Sequence, residues 1–302
     1  MVYTITFQPS IDLFYRLPGV LSPGDIHRAG SQWLRPGGKG LNVAIVLTRL
    51  GIPAKALCFA AGQTGRLFRT LAQDCCDAVF LELPEGETRI NAKIEADTET
   101  AVNAPGEKLR EADLQALASA LSGLAPEDVL VLSGRMEAAQ VTRFGTLCRK
   151  KGAKLVVDSS DAALAAALPL HPWLIKPNAE ELAALLGEAV PDRKNASAWM
   201  AKAQAMGAEN VLLSMGADGA MLLTADGRVY AANAPVCDKI MSTVGAGDSM
   251  LAGFLAAKQN GMDNAEALAF TVAAGSASVC GQWLAEKETI FDLRKRVSVC
   301  AL

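Results

Sequence analysis

From residue 108 onward, helix-length segments alternate regularly with short apolar runs, and this alternation leaves the chain few ways to fold. Residues 129–132, 155–157, 173–175 and 211–213 are runs of three or four apolar residues, each too short for a helix. Each is reached through a stretch with helical spacing, such as 111–121 or 195–206. A strand that is apolar on both faces must be covered on both faces. The expected fold class is therefore α/β, with a central, mostly parallel sheet and helices on both faces. No internal repeat or low-complexity linker marks a division, so residues 1–302 are expected to form a single domain.

The amino-terminal third is patterned differently. Residues 2–7 alternate as a strand up to Pro9, and residues 10–17 form a second extended piece before the turn at Pro23 and Gly24. A further strand is expected near 26–33. Val43, Val46, Leu47 and Leu50 share one face of a helix over 42–50 that stops at Gly51, and 55–60 resumes as a strand. Residues 87–95 and 98–102 read as a polar hairpin across Ala96 and Asp97. With the strands at 10–17 and 26–33, this hairpin predicts a small β lid drawn from about 10–35 and 86–104.

A formal net charge of −3 offers no basic face, so neither nucleic acid nor an anionic membrane is an expected partner, and any phosphate site must be local. The start of the chain lacks the pattern of a signal peptide, and a cytoplasmic location is expected. Residues 267–285 are uncharged and long enough to span a bilayer. However, Thr271, Gly275, Ser276, Ser278, Gly281 and Gln282 dilute them, which points to a buried helix. Seven cysteines without a CxxC spacing read as reduced structural thiols. His27 and His171 suggest neither a triad nor a metal site.

Open parallel sheets bind ligands beyond the carboxyl ends of their strands. Here those ends carry Ser133 and Gly134; Asp158, Ser159 and Ser160; Lys176, Pro177 and Asn178; and Ser214 and Gly216. The most informative run is Ser242, Thr243, Val244, Gly245, Ala246, Gly247, Asp248, which opens a helix. Free N–H groups and the positive dipole end would hold a phosphate there, with Asp248 as a proton acceptor; the alternative is a plain capped helix. Met250 occupies the last glycine position of GxGxxG, and no GxxxxGK[ST] occurs, which excludes the dinucleotide and Walker-type loops.

Three more groups accompany it. Gly37, Gly38, Lys39, Gly40 and Asn42 form either a turn against which a polyhydroxy ligand lies, or a tight turn with a solvated lysine. Arg89, Asn91 and Lys93 share one face of a lid strand, either to grip a sugar phosphate or as a solvated face. Lys176, Asn178 and Glu181 end a strand and start a helix, where Glu181 would hold Mg2+ through waters or simply belong to a cap.

Taken together and in order, Gly-Gly-Lys-Gly-Leu-Asn-Val at 37–43, Lys-Pro-Asn-Xaa-Xaa-Glu at 176–181, Ser-Xaa-Gly-Xaa-Xaa-Gly at 214–219 and Thr-Val-Gly-Ala-Gly-Asp-Ser at 243–249 resemble the ribokinase-like (PfkB) carbohydrate kinase family over nearly the whole chain. The resemblance implies a ribokinase-like sheet with a β lid that often forms a homodimer interface. It implies Gly245, Ala246 and Gly247 as the anion hole and Asp248 as the base. Lys176, Asn178, Ser214, Gly216, Gly219 and Thr243 would line an ATP site, with Glu181 organising Mg2+. Asp12, Gly38, Lys39, Asn42, Arg89, Asn91, Ser133 and Arg28 would meet the phosphorylated sugar.

Thr-Arg-Ile-Asn-Xaa-Lys-Ile at 88–94 is similar to the 1-phosphofructokinase branch, which implies conversion of fructose 1-phosphate to fructose 1,6-bisphosphate. Tagatose 6-phosphate and fructose 6-phosphate kinases are the alternatives, and a non-catalytic sugar-phosphate sensor is the reading from another class. Three departures stand out: Gln8, the pair Ala60 and Ala61, and Arg135-Met136-Glu137, where the family commonly continues Ser-Leu-Pro-Xaa-Gly.

Overall fold

The protein is described by a computed structural model covering residues 1–190, 195–237 and 239–302. Its chain begins with β1 (Val2–Thr6), β2 (Ser10–Arg16), β3 (Ser31–Gly37), α1 (Lys39–Arg49), β4 (Ala54–Ala61), α2 (Gly62–Gln73), β5 (Ala78–Leu83), β6 (Arg89–Glu95) and β7 (Glu99–Val102). The alternating region follows as α3 (Glu111–Ala120), β8 (Val129–Ser133), α4 (Ala138–Lys150), β9 (Lys154–Asp158), α5 (Asp161–Ala167), β10 (Leu174–Ile175), α6 (Ala179–Leu186), α7 (Ala196–Ala205) and β11 (Asn210–Ser214). It closes with β12 (Ala220–Leu223), β13 (Val229–Ala232), α8 (Ala246–Gln259), α9 (Asn264–Cys280), α10 (Lys287–Arg294) and β14 (Val299–Ala301).

Ten strands make the main sheet in the order β14-β13-β12-β11-β10-β9-β8-β1-β4-β5. From β5 to β11 all neighbours are parallel, and β12 to β14 extend the edge antiparallel. Strand β8 shows why both faces are covered. Val129 and Val131 point into a core shared with α1, α8 and α9, whereas Leu130 and Leu132 point into a second core with α3, α4 and α5. Truncating Leu130 or Leu132, both fully buried, to Ala would remove roughly 2–5 kcal/mol.

The lid is a separate four-stranded sheet, β3-β2-β6-β7, as the hairpin pattern predicts. Two boundaries are corrected. Strand β3 starts at Ser31 instead of residue 26, because its pairing with β2 runs from Arg16↔Ser31 to Ser10↔Gly37 and leaves 17–30 as a loop. Helix α1 starts at Lys39 instead of residue 42, because Thr6 Oγ1 accepts the N–H of Leu41 and satisfies a first-turn donor. The antiparallel edge β12–β14 and strand β5 were not legible in the periodicity.

No helix among the described residues is long and apolar enough to cross a membrane. The uncharged stretch becomes α9, 17 residues packed against α8 and α10, as expected. The reduced state expected for every cysteine is corrected: Cys237 and Cys280 form a disulfide across 43 residues of sequence, their Cα atoms 5.9 Å apart. No local spacing announces it. The fold brings the loop after β13 against the carboxyl end of α9.

Candidate active site

The glycine turn and its acid lie where α8 begins. Gly245 has φ 79°, a left-handed conformation, and a Cβ there would lie 2.5 Å from Leu284 Cδ2, so the position requires glycine twice over. Ala246 donates a long 3.3 Å hydrogen bond to Thr243 O. Among the described residues, the N–H groups of Gly245, Gly247 and Asp248 make none. These donors sit at the positive end of a 14-residue helix.

Asp248 is 5% exposed, and Asn42 Nδ2 donates to its Oδ2 at 2.7 Å. Burial pushes its carboxyl up to about 6 against the opposing charge of Lys39, with Asp158 adding to the rise and Asn42 and Lys176 resisting it. It is thus an acid that ionises just below neutrality, inside the protein.

Around it the strand ends assemble a charge cluster. Lys176, after β10, places Nζ 3.2 Å from Asp158 Oδ1 at the end of β9, and Lys39 Nζ lies 3.8 Å from the same oxygen. Asp158 holds Lys39 above the usual ammonium range against an opposing desolvation, with Asp248 and Glu181 helping. A Cβ on Gly247 would stand 3.3 Å from Lys176 Nζ, so that ammonium lies directly beside the turn. Ser133 Oγ donates to Asp158 Oδ2 at 3.4 Å. Asp158 was among the strand-end residues singled out from the sequence, but its role as the hub of this cluster was not.

A cavity of about 1270 Å3 opens on the cluster. Every residue that sequence reasoning placed on the nucleotide side lines it: Lys176, Asn178, Glu181, Ser214, Gly216, Gly219 and Thr243, together with Lys39 and the turn from Gly245 to Asp248. The cavity exceeds the usual span of small-ligand pockets. Glu181 is part of a capping box. Its Oε2 accepts the Asn178 N–H at 2.9 Å, and its own N–H donates to Asn178 Oδ1 at 2.7 Å.

The remaining predicted residues divide into two groups. Asp12 Oδ1 accepts from Ser10 Oγ at 2.9 Å and from Asn91 Nδ2 at 2.8 Å, the pair lying in register across β2 and β6. Gly37 backs onto this carboxylate, since a Cβ there would lie 2.6 Å from Asp12 Oδ2. Gly38 and Gly40 serve packing: their missing Cβ atoms would strike Thr6 Cγ2 and Ile5 O, so they let α1 press against β1.

Arg89 is likewise engaged: Nε, Nη1 and Nη2 donate to the carbonyls of Pro9, Ala104 and Gln8. Arg28 lies on the exposed 17–30 loop without a hydrogen bond or ion pair among the described residues. Arg135 was missed as a site residue. It follows Gly134, whose N–H donates to Asp158 O at 2.9 Å and whose Cα faces the Lys39 side chain. Arg135 is exposed, makes no hydrogen bond or ion pair among the described residues, and is close enough that its charge opposes that of Arg89, whose guanidinium burial already depresses. The signal was present in the sequence as a cation one residue past a strand-end Ser-Gly.

The profile of the pfkB family carbohydrate kinases matches residues 6–286. The 1-phosphofructokinase of Bacillus subtilis is 34% identical over 307 residues, covering 100% of both chains. The D-tagatose-1-phosphate kinase of Bacillus licheniformis is 31% identical over 308 residues, again covering 100% of both. Among solved structures, phosphofructokinase-2 from Escherichia coli in complex with substrates and products superposes with a TM-score of 0.91 at 28% identity, covering 98% of each chain.

Proposed function

The chain belongs to the pfkB family of carbohydrate kinases, and within that family we propose that it transfers the terminal phosphoryl group of ATP to O6 of fructose 1-phosphate, giving fructose 1,6-bisphosphate. One observation carries this reading: a buried carboxylate, Asp248, held by Asn42 on the first turn of a helix whose unbonded amides face a lysine-lined cavity.

Phosphoryl transfer depends on alignment and charge neutralisation, because its transition state spreads negative charge over peripheral oxygens. The free N–H groups of Gly245, Gly247 and Asp248, with Lys176 and Lys39 beside them, are donors aimed at that charge. Asp248 accepts the proton of the sugar hydroxyl. Asn42 fixes the carboxylate through Nδ2, while its buried Oδ1 has no hydrogen bond.

The donor set also fits Mg2+ carried in on nucleotide phosphates. Glu181 keeps one carboxylate oxygen outside its cap, and Asp158 Oδ1 is buried with ion pairs but no hydrogen bond. No group of three His, Cys, Asp or Glu among the described residues could hold an ion alone, so waters and phosphates would complete the shell. Held there, Mg2+ would neutralise charge on the nucleotide phosphates.

On the acceptor side, Asp12 and Asn91 meet sugar hydroxyls. Arg89 buttresses the lid root through its three carbonyls, and Arg135, the uncommitted cation beside it, takes the phosphate already on the sugar. We read residues 1–302 as one kinase domain acting in the cytoplasm, with the lid sheet closing over the sugar. The same sheet exposes Ile90 and Val102, 43% and 61% accessible, as an apolar face for pairing with a second copy.

The Bacillus licheniformis relative favours one second reading, tagatose 1-phosphate as acceptor. ADP release measured against fructose 1-phosphate, tagatose 1-phosphate, fructose 6-phosphate, tagatose 6-phosphate and unphosphorylated fructose decides between them. The highest kcat/KM is expected for fructose 1-phosphate. Turnover of none of the five would return the sensor reading.

A further inference from the structure

We propose that the Cys237–Cys280 disulfide is a redox modification site that sets nucleotide affinity, with a dithiol as its reductant. The proposal rests on the reading of the large cavity as a nucleotide site. Cys237 lines that cavity, and Cys280 ends a helix that lines it. Cys237 lies in the segment between β13 and α8, where Ala234, Pro235, Val236 and Ile240 also face the cavity. Cys280 ends α9, whose Val272, Gly275, Ser276 and Val279 also line the cavity. The covalent bond ties that segment to the helix.

Among the described residues few other links hold the segment: 234–237 make no backbone hydrogen bond, Cys237 Sγ lies 3.7 Å from Ser276 O on α9, and Met241 N–H donates to Val279 O at 2.9 Å. Val236 and Ile240 are 83% and 67% exposed, so burial contributes little at these positions. Both half-cystines are only partly buried, within reach of a reductant. By contrast, burial pushes the thiols of Cys58, Cys76 and Cys148 up to about 12, which keeps them protonated and unreactive.

The bond also stands near the chemistry. Cys237 precedes Gly245 by eight residues, and Cys280 precedes Leu284, the side chain beneath Gly245, by four. The turn carrying Leu284 is further pinned by Arg49, whose Nη1 donates to Leu284 O at 2.6 Å. The cavity wall is therefore the part that reduction would loosen, with the anion hole keeping its own supports.

The exchange balances as a two-electron transfer. A thiolate of the dithiol attacks one sulfur, the Cys237–Cys280 bond breaks, and a mixed disulfide forms. The second thiol of the reductant then attacks that mixed disulfide. Cys237 and Cys280 leave as two thiols with two electrons and two protons gained, and the reductant leaves as a disulfide. Disulfides in reducing compartments are commonly redox-sensing, in keeping with a cytoplasmic kinase that carries one. An ordered wall loses less entropy on binding, so the oxidised form is the tighter binder.

The test is calorimetric titration of ADP into full-length protein, oxidised or fully reduced with dithiothreitol. Alkylation after denaturation, giving five thiols in the oxidised form and seven in the reduced, verifies each state. Reduction is expected to weaken ADP binding about five-fold or more. Cys237→Ser and Cys280→Ser should each bind like the reduced protein with or without dithiol, whereas Cys300→Ser should respond as wild type does. Equal affinity in the two verified states, or failure to obtain the five-thiol form, overturns the proposal while leaving the kinase reading intact. Absence of ADP binding in both states overturns the nucleotide reading of the cavity and the proposal with it.

Discussion

Asn42 and Asp248 meet at 2.7 Å across 206 residues of sequence, amide donor to carboxylate acceptor. The bond joins the helix that follows the lid to the helix that carries the anion-binding turn, and it fixes one carboxylate oxygen while leaving the other for a substrate proton. It also resists the upward pull that burial exerts on the acid.

Removing that donor should therefore move the acid as well as misplace it. For Asn42→Ala, the acid limb of the pH–kcat/KM profile should shift to higher pH than in wild type, and kcat/KM at pH 7 should fall roughly ten-fold or more. An unshifted limb would show that the amide does not reach the carboxylate in solution.

Asp248→Asn should lower kcat by 10²-fold to 10⁴-fold or more, the usual range for a general base, with ADP affinity retained. The same variant should be more stable at neutral pH. Because the folded carboxyl titrates at about 6, above its ordinary 3.8, the stabilisation from its protonated form is complete below about pH 4 and lost as pH rises through 6. Above that, the buried charge costs about 2–3 kcal/mol, which Asn does not incur. Thermal melts at pH 7.5 should show Asp248→Asn a few degrees above wild type, with the gap closing toward pH 4.

In wild type, kcat/KM should rise with unit slope through about pH 6 and level off above it, since only the ionised acid accepts a proton. A profile flat down to pH 5 would remove Asp248 from the base role.

Arg135→Ala should raise the KM for the sugar phosphate about ten-fold with little change in the KM for ATP, as expected for one charge-assisted contact to a phosphate. Arg89→Ala should behave differently. Three backbone carbonyls lose their donor, so its Tm should drop along with any rise in KM. Equal KM values for Arg135→Ala and wild type would return the phosphate to Arg89.

Gly245→Ala forces a β-carbon into a left-handed turn and to within 2.5 Å of Leu284. A stability loss of about 1–3 kcal/mol is expected. Because the amides move with the turn, kcat should fall more than either KM. A variant with wild-type kcat would show that the turn's geometry is not limiting.

Much of this site was legible in the chain. The residues at the ends of β8, β9, β10 and β11 follow from short apolar runs closed by polar ones, and the turn at 245–248 follows from two glycines and an acid opening a helix. Such features are decided within a few residues by side-chain periodicity and backbone freedom. The glycines at 38 and 40 show the limit of that reasoning. Their smallness was visible, but whether it serves a ligand or the packing of α1 on β1 depends on what stands opposite.

By itself, then, the sequence determined the α/β alternation, the lid, the family and the set of groups gathered at the strand ends. Tertiary structure decided how those groups pair: Asn42 with Asp248, Lys176 and Lys39 with Asp158, Arg89 with three carbonyls, and Cys237 with Cys280. The reason is the sheet order. With β1 between β4 and β8, and β9 and β10 next in line, segments more than a hundred residues apart become neighbours, and no local pattern records which side chain will stand across from which.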